Sequence, residues 1–103
     1  MLSTCVIVGH VADDVEIVKT SNGNSLCYLT VETSRPFRND DGSVTKDTFR
    51  VLLWKGIAEE CKEQCEIGSL VVIRGRLQSN RYEKDDKVYY NYEIVGEKVT
   101  YES

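Results

Sequence analysis

Tyr28, Phe37, Trp54 and Tyr82 are the residues whose types could do chemistry together, because each has arginine close by. Arg38 follows Phe37, Arg81 precedes Tyr82, and Arg50 lies four residues before Trp54, with Arg74 and Arg76 further along. Exposed nucleobases stack on aromatic rings, at about 1–3 kcal/mol per base, while guanidinium groups pair with phosphates. Stacking needs no base identity. A surface of this composition is therefore expected to hold a single nucleic-acid strand with little regard to its sequence.

Covalent chemistry has less to work with. His10 is the only histidine, and it has no nucleophile or carboxylate in a catalytic spacing around it. There is no Ser-His-Asp arrangement, no glycine-rich phosphate loop and no metal-ligand cluster, so neither an enzyme nor a cofactor or metal is expected. Cys61 and Cys65 lack the CxxC spacing of a zinc knuckle, and Cys5 and Cys27 stand far from both. The four cysteines read as small apolar packing residues kept reduced, which suits a cytoplasmic protein.

At 103 residues the chain is one domain, spanning 1–103, with one small core. A domain of this size buries only about two-thirds of its unfolded surface, so oligomerisation is a common remedy. No stretch approaches the ~20 apolar residues of a membrane span, and the N-terminus shows no signal-peptide pattern. The net charge of −4 runs against nucleic-acid binding when taken alone. Its distribution matters more. Acids gather at Asp13, Asp14 and Glu16, along Glu59 to Glu66, and at Glu83 to Asp86, and the arginines lie mostly elsewhere.

The elements that must position these side chains follow from the patterning. Segments 4–11, 25–34, 46–54, 69–78 and 87–101 read as strands, with "VEIVK" at 15–19 continuing the first and a break near Gly96 in the last. Asn-Gly at 22–23 and Asp-Gly at 41–42 mark turns, and "NRYEKDDK" reads as a charged hairpin loop. Between the third and fourth strands the period changes. Ile57, Ala58, Cys61 and Cys65 fall on one helical face, and Gly68 stands as a stop. The order β-β-β-α-β-β is that of an all-β OB-fold, a five-stranded Greek-key barrel with one helix between strands three and four.

Alternation then assigns faces. Cys27, Leu29 and Val31; Phe49, Val51 and Leu53; and Val71, Ile73, Gly75 and Leu77 point into the barrel. The outer faces carry Tyr28, Arg50, Trp54, Arg74 and Arg76, while Phe37, Arg38, Arg81 and Tyr82 begin loops. Trp54 reads as a ligand platform, an interface residue or a core residue. Tyr90 and Tyr92 share one face of the last strand and Tyr89 the other, and pattern does not decide which set is core or interface.

These segments, in order, resemble the bacterial single-stranded DNA-binding protein family. "VIVGHVADDVEI" is similar to its opening strand and "TSNGNSLCYLTVETSRPFRNDDG" to its turn, strand and aromatic-bearing loop. "FRVLLWKGIAEECKEQCEIGSLVVIRGRLQSNRYEKDDKVYYNYEI" is similar to its strand ending in an aromatic, helix, strand and hairpin. The resemblance implies a homo-oligomer, a tetramer or a dimer, that coats and protects single-stranded DNA in replication, recombination and repair. It places base-stacking aromatics at Phe37, Trp54 and Tyr82. A fourth family aromatic falls at Thr48, Phe49 takes a family histidine's place, and Trp54-Lys55-Gly56 replaces an aromatic-Gly-Lys order. The sequence ends at "EKVTYES", without the family's acidic tail, which implies no recruitment of partners through such a tail. The acidic balance supports a second reading, a primosomal or assembly OB-fold module that mainly binds proteins.

Overall fold

The computed structural model describes residues 3–102. Five long strands and one two-residue strand make a single sheet: β1 (Thr4–Val11), β2 (Val18–Lys19), β3 (Ser25–Arg38), β4 (Val44–Trp54), β5 (Leu70–Lys84) and β6 (Lys87–Tyr101), with helix α1 (Lys55–Gln64) between β4 and β5. The order β1-β5-β6-β4-β3-β2 closes on itself because β1 also pairs with β3 at His10↔Glu32 and Val11↔Val31. All these pairings are antiparallel except β4 with β6, where Val51↔Ile94 and Leu52↔Val95 run parallel. A closed five-strand circuit with one helix between the third and fourth long strands is the OB-fold, as the patterning leads one to expect.

Closure explains the alternation. Cys27, Leu29 and Val31 of β3, Val51 and Leu53 of β4, and Val71 and Ile73 of β5 are all at or below 1% exposed. Ala58 and Cys61 of α1 plug one end of this core, with Ile57 and Cys65 packed beside them. Close strand approach at Gly75 and Gly96 fits the same circuit. A Cβ on Gly75 would stand 2.4 Å from the Val95 carbonyl oxygen, and one on Gly96 would stand 2.3 Å from Leu53 Cδ2. The register shifts there, leaving Glu97 as the extra residue of a bulge, so β6 bends at Gly96 without ending.

Several expectations are corrected. Leu77 does not enter the core but is 46% exposed, because β5 has by then left the barrel. Leu52, on the outer face by alternation, is only 5% exposed; Val95, its equally buried parallel partner, lies beside it on that face. Residues 15–19 do not continue β1. Val18 and Lys19 pair with Leu26 and Ser25 as a separate edge strand. Helix α1 stops at Gln64 with Cys65 as its cap, and Gly68, at φ +93°, belongs to the turn beyond.

The largest correction concerns 80–87. These residues are not a loop, because β5 and β6 run as a paired ribbon out to Lys84↔Lys87. Only Asp85 and Asp86 turn, both with positive φ (53° and 62°). Asp tolerates that conformation better than most residues, and two left-handed positions make the two-residue hairpin turn that matches strand twist. Likewise Phe37 and Arg38 do not begin a loop but end β3, which pairs irregularly with β4 as far as Arg38↔Val44.

Candidate nucleic-acid interface

Residues opposed across a strand pair share a face, so the registers trace one continuous outer surface. Tyr28 lies opposite Leu52, Thr30 opposite Arg50, and Leu26 opposite Trp54. On the neighbouring pair, Arg76 faces Val95 and Gln78 faces Glu93. Along the ribbon Asn80 faces Asn91, Tyr82 faces Tyr89, and Lys84 faces Lys87. Side-chain contacts join the two halves. The Tyr28 hydroxyl donates to Glu93 Oε2 at 3.3 Å, and Gln78 Nε2 donates to Glu93 Oε1 at 3.4 Å.

The rings on this surface are presented in three ways. The Arg50 guanidinium carbon sits 4.3 Å from the Tyr28 ring centroid, a cation–π stack. Burial and the Glu93 carboxylate together hold the Tyr28 phenol above its ordinary pKa, so the ring stays neutral. Tyr82 and Tyr89 stack with centroids 5.3 Å apart and planes 18° from parallel. Trp54, 37% exposed, occupies the N-cap of α1 and gives the helix no side-chain cap. Ser, Thr, Asp or Asn there would typically add about 1 kcal/mol. A tryptophan at that position forgoes this stabilisation and keeps a large ring at the surface.

Charge is sorted across the molecule. Arg50, Arg76, Lys84 and Lys87 lie on the traced face, and Arg74 continues it along β5 opposite Val6 and Lys98. Its acids are Glu93, Glu97 and, opposite Thr48 at the far end of β3, Glu32, and Glu97 lies 3.8 Å from the Arg76 guanidinium. Asp13, Asp14 and Glu16 line a groove of about 630 Å³ together with Leu26, Tyr28, Thr30, Thr48 and Arg50, so carboxylates border the β3–β4 end of the face. Arg50 thus stands between carboxylates on that side and cations on the ribbon side.

Not every arginine singled out from the sequence joins this face. Arg81 projects from the opposite side of the ribbon to Tyr82, opposite Tyr90, and pairs with Glu83 at 3.0 Å. Arg38 donates to the Gly42 carbonyl at 3.0 Å and so closes its own hairpin. Phe37, 59% exposed, stands on that second projecting hairpin. Its neighbour Arg35 grips Asp47 with two hydrogen bonds of 3.1 and 3.0 Å, which hold the Asp47 carboxyl below the usual carboxylate range.

Tyr89, Lys84, Lys87 and Glu93 were missed from the sequence. The signal was Asp85-Asp86. Taken as a two-residue turn, it sets Lys84 against Lys87 and Tyr82 against Tyr89. Tyr90 and Tyr92, 57% and 70% exposed, take the other side of the ribbon, so neither tyrosine set is core.

A closed OB barrel whose outer face joins aromatic rings to cations is a nucleic-acid-binding type of module. The chain belongs to the Single-strand binding protein family, whose model it matches over residues 2–101. It is 30% identical over 102 residues to the single-stranded DNA-binding protein B of Bacillus subtilis (strain 168), covering 98% of this chain and 90% of that one. Identity reaches 34% over 102 residues with single-stranded DNA-binding protein 2 of Staphylococcus aureus (strain Mu50), covering 98% of this chain and 72% of the relative. The chain spans only 63% of the single-stranded DNA-binding protein of Oceanobacillus iheyensis, to which it is 30% identical. The crystal structure of the wild-type single-stranded DNA binding protein from Thermus aquaticus superposes with a TM-score of 0.82 at 21% identity. That match covers 99% of this chain and 50% of that one, a likeness of fold.

Proposed function

We propose that this chain binds single-stranded DNA without strict sequence preference and protects it during replication, recombination and repair. The observation that carries the reading is the unbroken outer face from Trp54, through the Tyr28–Arg50 stack, to the Tyr82–Tyr89 stack. Bases stack on Trp54, Tyr28, Tyr82 and Tyr89, with Phe37 offering a further ring on its own hairpin. Phosphates pair with Arg50, Arg74 and Arg76 and with Lys84 and Lys87 at the ribbon tip. Arg38 and Arg81 contribute at the edges, where each already has a partner. The role is one of binding and not of catalysis. The 1–103 barrel acts as one DNA-binding domain of a cytoplasmic protein.

The working unit is a homo-oligomer, a tetramer or a dimer. Val6 and Val8 on the outside of β1 are 63% and 51% exposed, and β1 pairs with β3 only at its last two residues. Apolar side chains beside an open strand edge favour self-association. Light scattering should give a multiple of the 11.7 kDa chain mass at micromolar concentration, and a monomer there would overturn this part.

The fluorescence of Trp54, the one tryptophan, tests the whole reading. Addition of oligo(dT) should quench it at low salt, and added salt should reverse the quenching. Trp54→Ala should weaken binding by about 1–3 kcal/mol and leave the fold intact. A folded protein that neither quenches nor shifts an oligonucleotide on a gel would instead favour the module that mainly binds proteins.

A further inference from the structure

Glu93 stands where an anion is least expected, in the middle of the proposed DNA face. It is half-buried, and its two carboxylate oxygens are held from opposite sides by the Tyr28 hydroxyl and the Gln78 amide. It takes no part in the ion pairs among the described residues, which are Lys19–Glu59, Arg35–Asp47, Arg76–Glu97 and Arg81–Glu83. Its charge is therefore not cancelled by a direct partner. A carboxylate in that position repels the phosphates that Arg50 and Arg76 attract. A strand crossing it must turn its phosphates aside and present a base.

We propose that Glu93 is a base-reading residue, whose oriented carboxylate accepts hydrogen bonds from the Watson–Crick edge of guanine in the bound strand. The inference rests on the single-strand reading above. Each carboxylate oxygen accepts two hydrogen bonds and here uses one, which leaves one free site on each oxygen. Guanine offers two adjacent donors, N1–H and N2–H, that match two oxygens at once. Cytosine and adenine each offer a single amino group next to a ring acceptor. Thymine offers one N3–H between two carbonyls, which the carboxylate repels. Recognition of unstacked bases by their exposed edges, next to a ring that stacks them, is the usual way a single strand is read. The Tyr28–Arg50 stack supplies that plane beside Glu93. The site would make the protein a tolerant binder with a local guanine preference, and not an indifferent one.

The test compares three strands of equal length at one salt concentration: d(TTG) repeats, d(TTI) repeats and oligo(dT). Inosine keeps N1–H and lacks the N2 amino group. Fluorescence anisotropy with the intact chain should show d(TTG) bound roughly fivefold tighter than d(TTI), within the range of a bidentate base contact. Glu93→Gln should bring that ratio close to one. It should also tighten oligo(dT), because the repulsion is gone. Comparing ratios between the two proteins cancels the intrinsic difference in stacking between guanine and inosine, and a thermal melt of the variant checks its fold. Equal affinities for d(TTG) and d(TTI) in the unaltered protein, or a ratio that Glu93→Gln leaves in place, would overturn the base-reading role alone. No binding of any of the three strands would overturn the single-strand reading with it.

Discussion

Arg50 sits over the Tyr28 ring, its guanidinium carbon 4.3 Å from the centroid, while the Tyr28 hydroxyl is tied to Glu93. The arginine is thus positioned before any ligand arrives, and less side-chain freedom is lost on binding. Arg50→Ala should reduce the slope of log K against log salt by about 0.7, the value for one phosphate contact to a single strand. Arg50→Lys should keep the slope and still lose affinity, because lysine supplies the charge without the planar stack. Titration with oligo(dT) at several salt concentrations measures both. An unchanged slope in the alanine variant would remove Arg50 from the phosphate path.

The ribbon formed by β5 and β6 gives a second expectation, because its two sides carry different tyrosines. Tyr82→Ala and Tyr89→Ala should each weaken oligo(dT) binding by about 1–3 kcal/mol. The double variant should lose less than the sum, since the two rings stack on each other and form one platform. Tyr90→Ala, on the opposite side, should leave affinity unaltered. An equal loss for Tyr90→Ala would show that the strand wraps both sides of the ribbon.

Alternation made the barrel legible. The inward positions of β3 and β4, such as Leu29, Val51 and Leu53, have no exposure at all, and a change to helical period located α1. Facing arguments also put Tyr28, Arg50 and Trp54 on one outer surface, where the registers place them. The ribbon was not legible, for a physical reason. Its residues 79–92 are exposed on both sides, so no buried face imposes an alternating pattern, and charge made 80–87 look like a loop. Leu77 misled in the opposite way: an apolar residue in phase with the core proved 46% exposed because the strand outruns the barrel. Glu93 was invisible because its meaning depends on β3 and β5 neighbours distant in sequence.

Cys65 allows a pH test of the core at the end of α1. Burial and a contact with Cys61, sulfur to sulfur at 3.5 Å, push its thiol up to about 12. The thiolate is the reactive form, so alkylation of Cys65 by iodoacetamide should stay slow at pH 8. Its rate should rise about tenfold per pH unit through pH 10 with no plateau. Because the folded pKa is raised, the associated stability is fully present below the unfolded value of about 8.5 and is lost as pH climbs toward 12. Mass-spectrometric labelling of the folded chain checks this. Rapid modification of Cys65 at pH 8 would mean that the helix end opens readily.

Lys55 adopts φ +53° at the junction between β4 and α1, a left-handed conformation that favours glycine, while Gly56 follows it. A Cβ added to Gly56 would meet nothing within 4 Å, so a side chain fits there. The order of the two residues thus places the bulky one where the backbone is strained and the flexible one in the first turn of the helix. A left-handed non-glycine residue costs roughly 1 kcal/mol or more, and glycine in a helix another 0.5–1. The lysine stays in the first turn of the helix, so its unfavourable interaction with the macrodipole changes little. The exchange Lys55→Gly with Gly56→Lys should therefore raise stability by about 1 kcal/mol in urea unfolding, with the m-value unchanged. It should leave Trp54 quenching intact, because the charge stays beside the ring. A loss of stability would show that the Lys55 side chain holds the junction more strongly than its backbone conformation strains it.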